Sequence, residues 1–176
     1  MKKLGLLALL LILVVITGLA FPEVIRAVRA TLIGYQEVPS VSTAAGGKFQ
    51  ANINEDNTEV AYELTYSNLE GAVQQAHIHF AQSGVNGGIT VFLCTNLGNG
   101  PAGVQVCPAA PATITGTIAA ADISPNIPAT AAAIGQGLGT GEFDEFLKAL
   151  RAGKLYVNVH STTYPGGEIR SQLHDH

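Results

Sequence analysis

Basic residues are scarce in this sequence, and their scarcity argues against one broad class of partner. The 176 residues include nine Lys and Arg but thirteen Asp and Glu. Residues 1–30 hold four of the basic residues and one of the acids, so residues 31–176 carry 5 − 12 = −7 with neutral histidines. Nucleic acids are bound by basic faces, because the phosphate charges have to be neutralised. We therefore predict no nucleic-acid partner.

Motifs that mark common enzyme classes are also missing. The sequence has no Gly-x-Ser-x-Gly elbow, no phosphate-binding loop and no obvious pair of nucleophile and base. Ser161 follows His160 directly, but adjacent residues on a strand point to opposite faces of a sheet. A hydrolase is therefore not predicted.

The N-terminus holds the longest apolar run of the chain. Two lysines precede an almost uninterrupted apolar segment over residues 4–21. Such a segment is typical of a secretory signal peptide or an N-terminal membrane anchor, and its length is close to the ~20 residues of a membrane-spanning helix. The small residues of Gly18–Ala20 suit signal cleavage, and those of Val28–Ala30 suit it less well. We interpret residues 1–30 as a signal or anchor helix, and we predict that residues 31–176 are exported to the periplasm, cell envelope or medium, with membrane contact only through an uncleaved N-terminal segment.

Only two cysteines are present, Cys94 and Cys107, and they bracket a turn-rich stretch. In the oxidising compartment that export implies, two such cysteines favour a disulfide. Closing a loop of this length contributes about 3 kcal/mol by restricting the unfolded chain. A thiolate metal site is the alternative at this stage.

The exported part alternates apolar and polar residues in short segments separated by turn residues. Phe49, Ala51 and Ile53, for example, alternate with polar neighbours. A period of two bounded by Asn, Asp and Gly is typical of half-buried antiparallel strands. We predict strands over residues 30–35, 48–54, 60–66, 76–80, 89–94, 112–118, 154–160 and 168–173. Eight short strands in 146 residues indicate one all-β domain, an antiparallel sandwich or barrel.

One short helix interrupts the series at residues 142–150. Apolar residues recur there at i, i+3, i+4 and i+7, the spacing of one helical face: Phe143, Phe146, Leu147 and Leu150. The preceding stretch, residues 122–141, is rich in Ala, Pro and Gly. It is predicted to be a long connection, which either covers a site as a lid or only links the neighbouring elements.

Three motifs resemble the CHRD domain, a family found in secreted bacterial and archaeal proteins and, in animals, within chordin. They are Glu37-Val38-Pro39, Ala76-His77-Ile78-His79 with its glycine-rich sequel, and the C-terminal runs over residues 147–160 and 164–173. Their order is that of the family, although Ser171 stands where the family usually carries glycine. The resemblance implies that residues 31–176 form one CHRD domain with an immunoglobulin-like β-barrel fold. It leaves the biochemical function open, because a fold does not fix an activity.

Histidines are the residues most suited to chemistry. His77 and His79 are two apart on a predicted strand, so their side chains leave the same face, opposite Ala76 and Ile78. His160 ends another predicted strand. If the two strands are close, three imidazoles converge in a surface cluster. Three nitrogen donors without an acidic neighbour suit copper, with zinc second.

Other interpretations of the histidines stay open. The His77–His79 pair can present polar groups to solvent or hydrogen-bond to a neighbouring strand, and His160 can orient the turn over residues 164–167. His174 and His176 are interpreted as a solvated tail, or as a source of a mobile extra ligand.

Three functions follow from these interpretations. The first is an exported module that binds copper or another metal, and the second is a metal-free extracellular interaction or adhesion domain with an unidentified protein partner. The third is a redox enzyme similar to superoxide dismutase, since Cu/Zn superoxide dismutase also carries a His-x-His pair on a strand of a β-barrel.

Charged residues near the C-terminus form a second candidate cluster. Glu168 and Arg170 are two apart on one strand, and they are placed to form a cross-strand network with Glu37. We interpret this network as structural, because paired charges at a sheet edge commonly serve solubility and register.

Overall fold

The computed structural model describes residues 27–173. This part of the chain forms a single eight-stranded antiparallel sheet that curls around one apolar core into a nearly closed barrel. The strands are β1 (Ala27–Ile33), β2 (Gly46–Ile53), β3 (Val60–Ser67), β4 (Val73–Phe80), β5 (Gly88–Thr95), β6 (Ala112–Ile118), β7 (Leu155–Ser161) and β8 (Ile169–Gln172). The predicted all-β fold is confirmed.

The strand order across the sheet is β5-β4-β7-β8-β1-β2-β3-β6. Strands β5 and β6 are therefore the two edges, and β4 and β7 are direct neighbours although a long stretch of chain separates them. Strand β1 begins at Ala27, before the boundary predicted at residue 30, and its Val28 is buried in the core. The predicted signal or anchor otherwise falls on residues 1–26, which lie outside the described residues.

Two helices accompany the sheet. The predicted helix is confirmed as α2 (Phe143–Arg151), whose apolar face is buried in the core. The prediction of a single helix was incomplete, because α1 (Ala131–Gly135) lies within the stretch predicted as a connection. Helix α1 packs closely on β5, where a side chain at Gly88 would collide with the backbone of Ala133. No helix within residues 27–173 is long and apolar enough to cross a membrane.

Strand β7 is buried along its whole length, and this burial positions the candidate site. Leu155, Val157 and Val159 face the barrel core, while the alternate residues face the other way and are buried as well. Two loops, over residues 81–87 and 162–168, fold back over that second face. The sheet is thus covered on both sides at β4 and β7, and polar residues occupy its outer layer.

The predicted disulfide is confirmed between Cys94 and Cys107. Cys94 lies on edge strand β5, and Cys107 lies in the segment that leads to the other edge strand, β6. The bond therefore ties one edge of the open sheet to the chain that forms the other edge.

Loss of the disulfide is expected to destabilise the domain by about 3 kcal/mol, because the unfolded chain regains the freedom of a loop of 13 residues. Urea unfolding of the double variant Cys94→Ala/Cys107→Ala, compared with the oxidised parent, measures the difference. Two reactive thiols in parent protein isolated without reductant would contradict the assignment.

Candidate metal centre

Three histidines meet on the outer, loop-covered face of the sheet. His77 and His79 lie on β4, and His160 lies on the neighbouring β7. One ring nitrogen of each histidine lies within 4.8 Å of a ring nitrogen of the other two. The cluster within residues 27–173 contains no carboxylate and no thiolate. The structure thus brings together the three residues that the sequence singled out.

The prediction that this cluster lies at the surface was wrong. His77, His79 and His160 are only 0%, 7% and 6% exposed. Alternation along β4 correctly separated their face from that of Ala76 and Ile78, but that face is not open to solvent. The ring of Phe92 on β5 packs edge-on against His77 with ring centres 4.5 Å apart.

Backbone carbonyls fix the protonation of two of the rings. His79 Nδ1 donates to the Gly87 carbonyl at 3.0 Å, and His160 Nδ1 donates to the Pro165 carbonyl at 2.9 Å. A carbonyl only accepts, so the proton of each neutral ring lies on Nδ1 and its Nε2 carries a lone pair. Histidines that bind metals are oriented by the same kind of bond. The bond to Pro165 also means that His160 orients the turn over residues 164–167, so that interpretation holds as well.

The third ring completes the arrangement. His77 Nδ1 lies 3.3 Å from His160 Nε2 and is the donor of that pair, because His160 Nε2 carries a lone pair. His77 Nε2 is then an acceptor, and it is buried without a hydrogen-bond partner, as is His79 Nε2. Leaving a buried polar atom unpaired costs about 1–3 kcal/mol, so such atoms call for a functional or structural explanation.

Asn158 is a fourth polar residue of the site. Its side-chain Oδ1 lies 3.1 Å from His160 Nε2, and its amide also hydrogen-bonds to Glu37. With the His160 proton on Nδ1, the two atoms that face each other are both acceptors. A cation beside them would relieve this contact. Asn158 shares the face of His160 because the two residues are two apart on one strand, but it was not predicted as a site residue.

Burial keeps all three imidazoles neutral. Desolvation lowers the pKa of His77 well below its usual value, and the nearby His79 and His160 lower it further. Burial lowers the pKa of His79 to about 3 and also depresses the pKa of His160. A neutral imidazole is the form that binds metal ions, so the site is prepared at neutral pH without having to release protons.

Tyr156 connects the histidines to a buried arginine. The rings of His79 and Tyr156 are parallel with centres 4.6 Å apart, and the Arg170 guanidinium carbon lies 3.4 Å from the Tyr156 ring centre. Arg170 also donates to the side chain of Asn86 and to the Val85 carbonyl of the covering loop. A positive charge therefore lies one aromatic ring away from the candidate ligands.

The charged residues near the C-terminus are not the sheet-edge network that we predicted. Glu37, Glu168 and Arg170 are all buried. Burial raises the pKa of Glu37 to about 7, although the Arg170 charge and the Asn158 amide lower it. Glu168 has different partners, since its carboxylate accepts from Thr43 and from the backbone of Glu70.

The spacing of the ring nitrogens can be compared with that of a metal site. Imidazole nitrogens bind zinc or copper at about 2.0–2.1 Å, which places two ligands of one ion roughly 3.3–3.6 Å apart. In this structure the candidate ring nitrogens, one from each of the three histidines, lie within 4.8 Å of one another. Side-chain shifts of about 1 Å would therefore bring them to the spacing of ligands on one ion. The triad could hold a metal ion. His174 and His176, the candidate extra ligands, lie outside the described residues.

The residues of this site lie in the motifs that carried the family resemblance, with His77 and His79 in one motif and His160 in another. The family model of the CHRD domain matches residues 28–173. The chain belongs to the CHRD domain family. No curated protein and no solved structure matches it. The histidine cluster of this CHRD domain lies on two neighbouring strands of the matched region, β4 and β7.

Proposed function

We propose that this CHRD domain is an exported copper-binding module, in which His77, His79 and His160 hold the ion and zinc is the second choice. One observation carries the proposal: buried, neutral imidazole nitrogens converge, and two of them have no hydrogen-bond partner. A metal ion would use the two lone pairs, on His77 Nε2 and His79 Nε2, that no donor within residues 27–173 satisfies, and it would replace the His77 Nδ1 donor at His160 Nε2.

The donor set favours copper among the common metal ions. Imidazole suits copper and zinc, whereas calcium and magnesium require oxygen ligands. Copper also stands above zinc in the order of affinities of divalent ions for a given site. Such a module would serve copper storage, delivery or sensing in the cell envelope. The cluster offers ligands for one ion, so a two-metal arrangement similar to that of superoxide dismutase has no support within the described residues.

Export is part of the proposal. The basic and apolar N-terminus supports it, and the Cys94–Cys107 disulfide is consistent with an oxidising compartment. Because β1 begins at Ala27, cleavage at Val28–Ala30 would remove half of a core strand. Cleavage at Gly18–Ala20 leaves β1 whole. We therefore propose Gly18–Ala20, rather than Val28–Ala30, as the site at which a signal peptide would be cleaved.

Copper titration of the exported protein, purified without a histidine tag, tests the proposal. We expect one copper ion per chain. Single changes of His77, His79 or His160 to Gln are expected to weaken binding by about 100-fold or more, because two remaining imidazoles rarely hold an ion against solvent. Glutamine is preferred to alanine because the side chains are buried.

The double variant His174→Ala/His176→Ala is the matched control, and it is expected to bind copper as the parent does if the tail is only solvated. Unchanged copper binding in all three single variants would place the site elsewhere, whereas a parent protein that binds no copper would show that the proposed site is absent. A metal-free interaction domain would then be the better interpretation, favoured by the exposed apolar side chains of Tyr35 and Val106.

A further inference from the structure

The charges around the histidine cluster distinguish between ions. The three candidate ligands are neutral, and no carboxylate is among them. The acidic side chain of this network is Glu37, which hydrogen-bonds to the Asn158 amide and also interacts electrostatically with Arg170. A positive charge is also close, because the Arg170 guanidinium lies against the Tyr156 ring, and this ring stacks on His79. A bound ion would therefore add its charge to a site with little negative charge to offset it.

Burial makes this charge balance decisive. The cost of moving an ion from water into a protein interior rises with the square of its charge, so a divalent ion pays about four times the penalty of a monovalent one. The Arg170 charge repels a divalent ion about twice as strongly as a monovalent ion at the same distance. The bonds between the ion and its ligands have to compensate for the desolvation of the ion and for its repulsion from Arg170. Neutral imidazoles neutralise none of the charge of the ion, whereas carboxylates and thiolates neutralise part of it.

The number of ligands points in the same direction. The described residues supply three imidazole nitrogens, and the adjacent Asn158 oxygen is a neutral amide. Copper(I) is satisfied by three nitrogen donors, whereas copper(II) takes a tetragonal set and zinc is almost always four-coordinate. The rings of Phe92 and Tyr156 pack against His77 and His79, so aromatic rings rather than further ligands surround these two imidazoles.

We propose that the His77–His79–His160 site is selective for copper(I) over copper(II) and zinc(II). The inference rests on the proposed function and deepens it, since it names the oxidation state of the ion. The selecting features are the neutral, buried triad, the absence of an acidic ligand within the described residues, and the buried Arg170 beside Tyr156.

Competition titrations under anaerobic conditions test the proposal. Copper(I) is supplied as its acetonitrile complex, which leaves the disulfide intact, and chromophoric chelators of known affinity compete for copper(I), copper(II) and zinc(II) separately. We expect copper(I) to bind at least 100-fold more tightly than copper(II). That ratio corresponds to a reduction potential of bound copper about 120 mV above that of the free ion, at 59 mV per factor of ten.

Two conservative variants test the cause. Asn158→Asp places a carboxylate 3.1 Å from His160 Nε2 with almost no change in shape, and it is expected to narrow the copper(I) to copper(II) ratio by about tenfold or more. Glu37→Gln removes the nearest negative charge and is expected to widen the ratio at pH 8, where the parent carboxyl is ionised. Circular dichroism and melting curves check that each variant folds, and if Asn158→Asp does not fold, Glu37→Gln carries the test.

Each outcome is decisive. Tighter binding of copper(II) or zinc(II) by the parent would overturn the selectivity while leaving a metal-binding module in place. A ratio unchanged in the folded variants would also overturn the charge argument. A parent that binds none of the three ions would instead overturn the proposed function itself.

Discussion

Acidification from pH 7 to pH 5 is expected to destabilise the metal-free domain, by up to about 3 kcal/mol if all three buried histidines stay neutral at pH 5. The pKa values of His77, His79 and His160 are depressed by burial from a usual value of 6.5, so the unfolded chain binds more protons than the folded one below pH 6.5. Stability is therefore present above that pH and is lost as the pH falls, by up to about 1.4 kcal/mol per pH unit for each histidine.

Glu37 acts in the opposite direction. Burial raises its pKa from 4.5 to about 7, so the folded state binds the extra proton between these values and gains stability as the pH falls. Over the same range the three histidines lose at most on the order of 5 kcal/mol, which is the limit if all three stay neutral at pH 5, and Glu37 returns about 2 kcal/mol. The histidines dominate, and the net effect is a loss.

Urea unfolding of metal-free protein at pH 5, 6 and 7 measures this dependence. The matched variants should move the slope in opposite directions. Glu37→Gln removes the opposing group and should make the loss on acidification steeper, whereas His160→Gln should make it shallower. Stability that is flat between pH 5 and pH 7 would mean that the histidines are already charged, or are solvated, in the folded domain.

The substitution His77→Ala is expected to lower the free energy of unfolding of the metal-free protein by about 2–4 kcal/mol. His77 is fully buried, packs against the Phe92 ring and donates to His160. Removing the ring leaves a cavity and takes away a hydrogen bond, and the unpaired Nε2 returns only part of that loss. A histidine on an exposed surface would instead leave the free energy of unfolding almost unchanged when replaced by alanine.

Chemical unfolding without metal provides the measurement. His77→Gln, which keeps part of the volume and a polar group, should lose less stability than His77→Ala. Val106→Ala is a suitable exposed control, because Val106 is 72% exposed and a change there should stay within about 0.5 kcal/mol. If His77→Ala were as mild as this control, the described burial of His77 would be wrong.

The strands were predictable because their pattern is local. Alternation at Phe49, Ala51 and Ile53 fixes which side chains face the core, and the limits of β6 agree with the prediction at both ends. The pairing of His77 with His79 follows from the same local rule. Helix α1 was missed because its five residues, rich in alanine and glycine, carry too short a periodic signal.

The burial of the site was not predictable in the same way. It depends on β4 and β7 being neighbours and on loops 81–87 and 162–168 folding back over them, and both are properties of the whole chain. Glu37 likewise approaches Asn158 across a large separation in sequence. A period of two separates the faces of a strand, but it does not say whether the second face is covered.

The Cys94–Cys107 bond also has a bearing on the order in which the protein matures. Thiolates are softer donors than imidazoles and bind copper(I) readily. Under the proposed function, a newly exported chain that met copper(I) with both thiols still reduced would therefore offer the ion a competing binding site at Cys94 and Cys107. Oxidation first removes that competitor and ties the edge strand in place. Under the proposed function, loading of the histidine cluster is thus expected to follow disulfide formation, and correct metallation would depend on the oxidising machinery of the compartment.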